Sequence, residues 1–418
     1  MRILLIHQYF LELDDGGGSR FNEMTRQWSD EGHEITVLAG MMHANGKEKR
    51  PEYKGKSFIK KMHGDVEVIR CHVSESYNNG FLGRLWGYFS FVFSSIWAGL
   101  FKSKGKYDVI LVTSPPLFVG ITAYVLSLFK RVPFVFEVRD LWPESAIDTG
   151  VVTNKWIIKF AYWFEAFMYK KAKLINVLTP AFRDKLIEDK KVPKDKIIFI
   201  PNAADFTLSE EVFNSNFNAE QFRKELGWEG KLVITYVGAH GVANHLIQAI
   251  ETADLVKDVF PQAHFVLIGN GMQKEMLQKE AADRKLTNVQ FIDSVPKAQV
   301  FKFIMASDFG ASILKKVDTF KTIYSNKTFD YMSCKKPIML AIDGVSRDLV
   351  EAAKCGIFIE PENPKHWANE IAKAVGMDKA ELDQMGVNGY QYAQQHFDRS
   401  KLGETYVSLI EMKVCNEK

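Results

Sequence analysis

Cysteine is scarce: Cys71, Cys334, Cys355 and Cys415 are the only four in 418 residues, and none forms a Cys-x-x-Cys pair. That spacing excludes a zinc ribbon or a redox dithiol, and so few thiols build no disulfide framework, so a reducing cytoplasm is expected. Excess charge is missing too. A formal net charge of +3 on so long a chain leaves no basic block along its length, and nucleic acid is not expected as a partner. No Gly-x-Gly-x-x-Gly fingerprint occurs, which removes the dinucleotide loop. His240 and His245 do not have the i, i+4 spacing that pairs ligands on one helix face, so no metal is expected. The opening Met-Arg-Ile-Leu-Leu-Ile-His is a short apolar run without a small-residue cleavage site, and reads as a first strand rather than a signal peptide.

What is present is ordinary for a soluble globular protein: 46% hydrophobic and 25% charged residues. The length exceeds one hydrophobic core, since cores stop growing at about 250–300 residues, so two domains are expected. Apolar runs alternate with helical patterns in a βαβ rhythm, at residues 3–6, 35–38, 66–70, 109–113, 134–138, 174–178 and 197–200. Pro201-Asn202-Ala203-Ala204-Asp205 breaks the rhythm, and it restarts at residues 232–237, 265–268, 289–291, 309–312, 337–340 and 356–359. These signals predict an α/β protein with doubly wound domains over 1–203 and 204–397. They also predict a helix over 398–418 that packs back on the first domain.

Chemistry-bearing residues gather at strand ends. Gly16-Gly17-Gly18-Ser19-Arg20 lies between the first strand and a helix, where bare backbone and free amides suit phosphate and Arg20 adds a cation; a flexible turn is the alternative. Arg139, Asp140 and Glu144 follow the strand ending at Val138, at the end that opens onto the ligand crevice of a parallel sheet. Arg139 and Asp140 are the best catalytic candidates, and a surface ion pair is the plain alternative. Gly238 with His240, and Gly269 with Gly271, follow two strands of the second half as candidate donor or acceptor contacts. Ser325, Asn326 and Lys327 look like a capped helix start facing an anion, with Asp330 one turn in, where its carboxylate could meet ribose hydroxyls.

Leu85 to Phe101 carries no charge, is rich in aromatics and falls just short of the ~20 residues that span a bilayer. It reads as an interfacial or buried helix. Lysines between Lys47 and Lys61, and the basic stretch from Tyr162 to Lys173, could meet anionic lipid.

Taken together, these residues resemble the retaining family 4 glycosyltransferases of the GT-B fold, over nearly the whole chain. The first half is similar to the bacterial surface-polysaccharide branch that includes N-acetylfucosaminyl transferases, through Gly-Gly-Gly-Ser-Arg, Thr113-Ser114-Pro115-Pro116 and Arg139-Asp140-Leu141-Trp142-Pro143-Glu144-Ser145. Pro201-Asn202-Ala203-Ala204-Asp205 resembles the family's linker, and Ser325-Asn326-Lys327-Thr328-Phe329-Asp330-Tyr331-Met332 its donor-binding helix. The resemblance implies two Rossmann-like domains facing a central cleft. It also implies a UDP-linked sugar as donor, with no cofactor, and the aromatic run from Leu85 to Phe101 adds the expectation of a lipid-linked saccharide as acceptor and a place on the inner face of the cytoplasmic membrane. On it, Gly16 to Gly18 and Arg20 meet the donor diphosphate with Ser325, Asn326 and Lys327, and Asp330 meets the ribose. Arg139-Asp140 stands where many relatives carry His-Asp. An arginine stays protonated, so the implied role is positioning and charge stabilisation, not proton abstraction. Thr322 replaces the first glutamate of the family's Glu-x7-Glu pair, and Val242 to His245 occupies the usual place of phosphate-binding Arg and Lys, which leaves Lys327 and helix-start amides to supply that charge. A UDP-sugar epimerase of the same fold and a non-catalytic nucleotide-sugar-binding partner are the competing readings.

Overall fold

The computed structural model describes residues 1–12, 15, 20–42, 49–78, 80–148, 150 and 152–415. Among these, residues 1–201 with 400–415 form one compact unit, and residues 202–399 another.

The first unit is built on β1 (Arg2–Ile6), β2 (Glu34–Gly40), β3 (Phe58–His63), β4 (Val66–Cys71), β5 (Val109–Ser114), β6 (Phe134–Val138), β7 (Leu174–Val177) and β8 (Ile197–Phe199). They form one sheet in the order β3-β4-β2-β1-β5-β6-β7-β8, with β3 antiparallel to β4. Strands covered on both faces read as unbroken apolar runs, and β5, Val-Ile-Leu-Val-Thr-Ser, is buried throughout. The edge strand β3 was not expected. Its sequence Phe-Ile-Lys-Lys-Met-His is too polar to stand out as a run, and lysines suit an edge because they discourage pairing with another chain.

Helices α1 (Arg20–Asp30), α2 (Gly80–Phe101), α3 (Val119–Lys130) and α4 (Lys155–Lys171) cover the sheet. In α1, Phe21, Met24 and Trp28 recur at helical spacing and pack on Ile3, Leu5 and Val37. In α4, the Asn154 side chain accepts from the amides of Trp156 and Ile157 and so fixes where the helix starts.

The second unit holds β9 (Leu232–Val237), β10 (Ala263–Ile268), β11 (Val289–Ile292), β12 (Phe309–Ile313), β13 (Ile338–Ala341) and β14 (Gly356–Phe358). Its sheet is wholly parallel, in the order β11-β10-β9-β12-β13-β14. Helix α5 (Asn326–Ser333) follows β12.

In each sheet the strand order reverses once, between β1 and β5 and between β9 and β12. Loops leave such a switch point in opposite directions and open a crevice at the carboxyl ends of the strands. Both units therefore have one topologically favoured binding position.

The chain then returns from the second unit to the first. Most of α6 (Arg399–Ile410) lies against α1, where Trp28 Nε1 donates to the Gly403 carbonyl at 2.9 Å. Tyr406 meets Trp28 edge-on at 5.8 Å, and Val407 and Ile410 join the same core.

Candidate functional site

At the switch point of the second unit, β9 runs into Gly238 and β12 into Leu314-Lys315, and the Lys315 amide donates to the Ala243 carbonyl at 2.8 Å. The neighbouring turn from β10 packs against the first without room for side chains. A Cβ on Gly269 would stand 2.0 Å from the Gly238 carbonyl oxygen, and one on Gly271 2.5 Å from that of His240. Gly238 and Gly269 have φ of 142° and 143°, a region that L side chains rarely adopt.

Lys327, one residue into α5, reaches this turn. Its Cε lies 3.4 Å from where a Cβ on Gly238 would be, and its ammonium stands 4.8 Å from the centre of the Tyr236 ring. It has no ion pair among the described residues, and burial holds its pKa down to about 8. Burial raises the Asp330 carboxyl to about 6, against the opposing pull of Lys297 and Lys327. The base of α5 is fixed by Tyr331, whose hydroxyl donates to the Ala311 carbonyl at 2.9 Å and accepts from the Val237 amide at 3.2 Å. The Tyr331 ring lies over Gly310, where an added Cβ would come within 2.2 Å of it. Gly310→Ala should therefore cost about 1–3 kcal/mol by overpacking, read as a lower urea midpoint with unchanged slope.

Two expectations in this unit are corrected, and one residue was missed. Ser325 sits at the N-cap of α5, but its hydroxyl accepts from Ser312 at 2.8 Å and caps no amide. The Thr328 amide donates to the Ser325 carbonyl at 3.1 Å, and the amides of Asn326 and Lys327 have no acceptor among the described residues. His240 was expected to touch ligand; its ring is fully buried against Tyr236 and Phe291, and its pKa falls to about 4 through burial and the charge of Lys274. Its backbone pairs with Asn270 and Gln273, and its ring Nε2 lies 3.5 Å from where a Cβ on Gly269 would be. Lys315 was not anticipated, yet it borders cavities of 310 Å³ and 150 Å³ on either side of the switch point and has no ion pair among the described residues. The switch-point rule applied to the end of β12 would have found it.

At the switch point of the first unit stands His7, at the end of β1, with Nδ1 at 2.7 Å from the Thr113 hydroxyl of β5. Burial, then the charges of Arg139 and Arg70, hold the pKa of this imidazole well below its usual value. It too was missed, because a lone histidine after a short strand carries no motif. The Arg139 amide donates to the Ser114 carbonyl at 2.9 Å, which sets Arg139 and Asp140 at the same strand ends. Arg139 has no ion pair among the described residues. Asp140 is only partly exposed, and burial raises its carboxyl to about 6, although Ser145 and the Leu141 amide bond to it.

Arg20 and Glu144 have other partners than those expected. Arg20 is 7% exposed and its guanidinium faces Glu137, with Nε at 3.2 Å from Oε1 and Nη2 at 3.3 Å from Oε2. It also donates to the carbonyls of Ile200 and Pro201, so it braces strand ends rather than offering a free cation to phosphate. Glu144 opens the short helix Glu144–Asp148 and pairs with Lys190 at 2.7 Å, which also holds the buried Glu165. Gly16, Gly17 and Gly18 lie outside the described residues.

Residues 15–203 match the family model of the glycosyl transferase 4-like domain, and residues 218–392 that of glycosyl transferases group 1. A colanic acid biosynthesis glycosyl transferase, WcaI, of Escherichia coli (strain K12) is 25% identical over 279 residues, 66% of this chain and 67% of that protein. The sulfoquinovosyl transferase SQD2 of Arabidopsis thaliana is 26% identical over 179 residues, 42% of this chain and 33% of that one. Among solved structures, Anabaena HepE in complex with UDP superposes with a TM-score of 0.70 at 17% identity, over 99% of this chain and 100% of its own. Sucrose-phosphate synthase from Thermosynechococcus elongatus gives 0.72 at 15% identity, over 98% of each chain.

Proposed function

We propose that this chain, a glycosyltransferase of the GT-B fold by both of its matched domains, is a retaining enzyme that moves a hexosyl or N-acetylhexosaminyl group from a UDP-sugar to a lipid-linked saccharide during surface-polysaccharide assembly. The donor part rests on one observation: a cation without an ion pair among the described residues, Lys327, set at the bare Gly238 turn beside a helix start that Ser325 does not cap with its side chain. Ammonium and helix-start amides together suit a diphosphate without a metal. Lys315 adds a second cation at the same switch point. Asp330 then serves the ribose. UDP is favoured because HepE, of the same fold, is known in complex with it, and the polysaccharide setting because WcaI is assigned to one.

In this reading Arg139 and Asp140 are the catalytic pair. Arg139 steadies negative charge on the sugar or its phosphate, and Asp140 faces the positive charge that grows at the anomeric carbon as the bond to phosphate lengthens. No side-chain base is required, since a donor phosphate oxygen on the same face accepts the proton of the acceptor hydroxyl.

Titration calorimetry with UDP tests the donor site. Lys327→Ala should weaken binding about tenfold or more, the worth of one charge-assisted contact. Unchanged affinity would remove the main support for the reading. The Lys327 cation is present below a pH of about 8 and lost above it, so UDP affinity should decline as pH rises through that range. Lys327→Arg, which stays charged, should flatten the decline. Retention itself is read from the anomeric configuration of the product by NMR.

A further inference from the structure

The first unit presents large aromatic side chains to solvent on three helices. On α2, Trp86, Phe93, Trp97 and Phe101 are 55%, 61%, 44% and 68% exposed, at helical spacing along one stripe. On α4, Trp156, Phe160 and Trp163 form a second stripe at 79%, 49% and 60%. Leu128 and Phe129 end α3 at 57% and 71%. The three helices lie side by side, α2 against α3 and α3 against α4, and beneath the exposed stripes ring contacts join α2 to α4 from Phe93 through Phe89, the buried Phe118 and Phe164, and Phe160 to Trp163.

The inner side of α2 is the reverse of a water-facing helix. It buries Gly87, Ser90, Ser95, Ala98 and Gly99 along with Phe91 and Val92, and turns its largest rings outward. Ser95 hydrogen-bonds Thr122 of α3 at 2.9 Å, and Gly99 lies directly on Leu126. Small residues at the helix contact, hydroxyls bonded across it and apolar bulk outside are the pattern of helices whose surroundings are lipid. Yet among the described residues no helix is long and apolar enough to cross a membrane.

Charge selects the kind of lipid. The sequences of α2 and α3 contain no acidic residue, and α4 contains one, Glu165, which is buried on Lys190. The cations sit beside the rings: Lys155, Lys159, Lys170 and Lys171 on α4, and Lys102 with its ammonium 5.0 Å from the Trp97 ring. Long stems on aromatic rings with the charge kept outward suit a headgroup layer.

We propose that the outer face of α2, α3 and α4 lies flat in one leaflet of an anionic bilayer, aromatic stripes in the acyl boundary and lysines at the phosphates. This rests on the lipid-linked acceptor proposed above and names the surface that meets it. The basic segment ending at Lys61 is not needed for it.

The test is co-sedimentation of the full chain with phosphatidylcholine vesicles, with and without phosphatidylglycerol. Wild type should pellet with the anionic vesicles and release with salt. Trp156→Ser with Trp163→Ser, or Phe93→Ser with Trp97→Ser, should lower partitioning about tenfold or more. The thermal midpoint, UDP affinity and transfer to a detergent-dispersed acceptor should be retained, since these rings are exposed. Lys155→Gln with Lys159→Gln should weaken binding to anionic vesicles alone. Equal partitioning of wild type and variants, or none by wild type, would overturn the proposal. A self-association of wild type that these variants abolish would overturn it in favour of a second copy. Loss of UDP binding and transfer in wild type is a separate failure, of the donor reading.

Discussion

Asp140→Asn should lower kcat by about 10²–10³ while leaving UDP affinity within about threefold, the pattern of a charge that acts as the transition state forms. The carboxylate belongs to the switch point that holds His7 and Arg139, whereas Lys327 and Lys315, the cations proposed for UDP, belong to the other. A change confined to kcat is therefore expected. The pH profile gives an independent sign. With the Asp140 carboxyl raised to about 6, the wild-type rate should fall as pH drops through that value, and the residual rate of the asparagine variant should lack this limb. Stability should move oppositely. A carboxyl whose folded pKa exceeds its unfolded one opposes folding once ionised, so Asp140→Asn should melt higher than wild type at pH 8, with the difference closing below about pH 4. A slower but more stable protein is not the result of misfolding. A kcat within threefold of wild type would remove Asp140 from the chemistry.

Glu137→Ala should destabilise the first unit by about 3–5 kcal/mol, because it leaves the Arg20 guanidinium buried without its counter-charge. Glu137 is fully buried and accepts from Arg20 through both carboxylate oxygens and from Asn176 Nδ2 at 2.9 Å. Asn176 in turn accepts from the Ile200 amide at 2.9 Å, so one network ties α1, β6, β7 and the segment after β8. Burying an ion pair costs nearly what its attraction returns, so the penalty lies in breaking the pair, not in lacking it. Replacing Arg20 and Glu137 together by methionine should recover most of the loss. Urea denaturation of the single and double variants decides it, and a single-variant cost under about 1 kcal/mol would mean that water reaches the orphaned charge.

Much of this architecture was legible in the chain. Parallel strands buried on both faces announce themselves as apolar runs, and the turn residues between them mark the βαβ rhythm; the part of β3 that carries lysines does not. Turns such as Gly238 and Gly269 could be placed at strand ends, since position in a parallel sheet follows from order. The partner of a charge could not. Arg20 finds Glu137 across 117 residues, and Glu144 finds Lys190, through tertiary burial that local spacing does not encode. Ser325 illustrates the same limit on a smaller scale: its place before α5 follows from helix-start chemistry, but the nearby Ser312 hydroxyl takes the bond that capping would have used. Conversely, Lys327 is reached by sequence through a helix start, whereas its approach to Gly238 is a contact between elements far apart in the chain.

The return of α6 to the first unit bears on synthesis. Residues 202–399 are contiguous and can complete their sheet while still emerging from the ribosome. The first unit begins earlier, but the core around Trp28 stays open until Tyr406, Val407 and Ile410 have been made. The usual order, in which the amino-terminal domain closes first, is thus inverted. For that interval a nascent chain shows an unfilled apolar seam along α1, a place for a chaperone to hold. Truncation before Tyr406 would make that state permanent, damaging the unit translated first while sparing the one translated second.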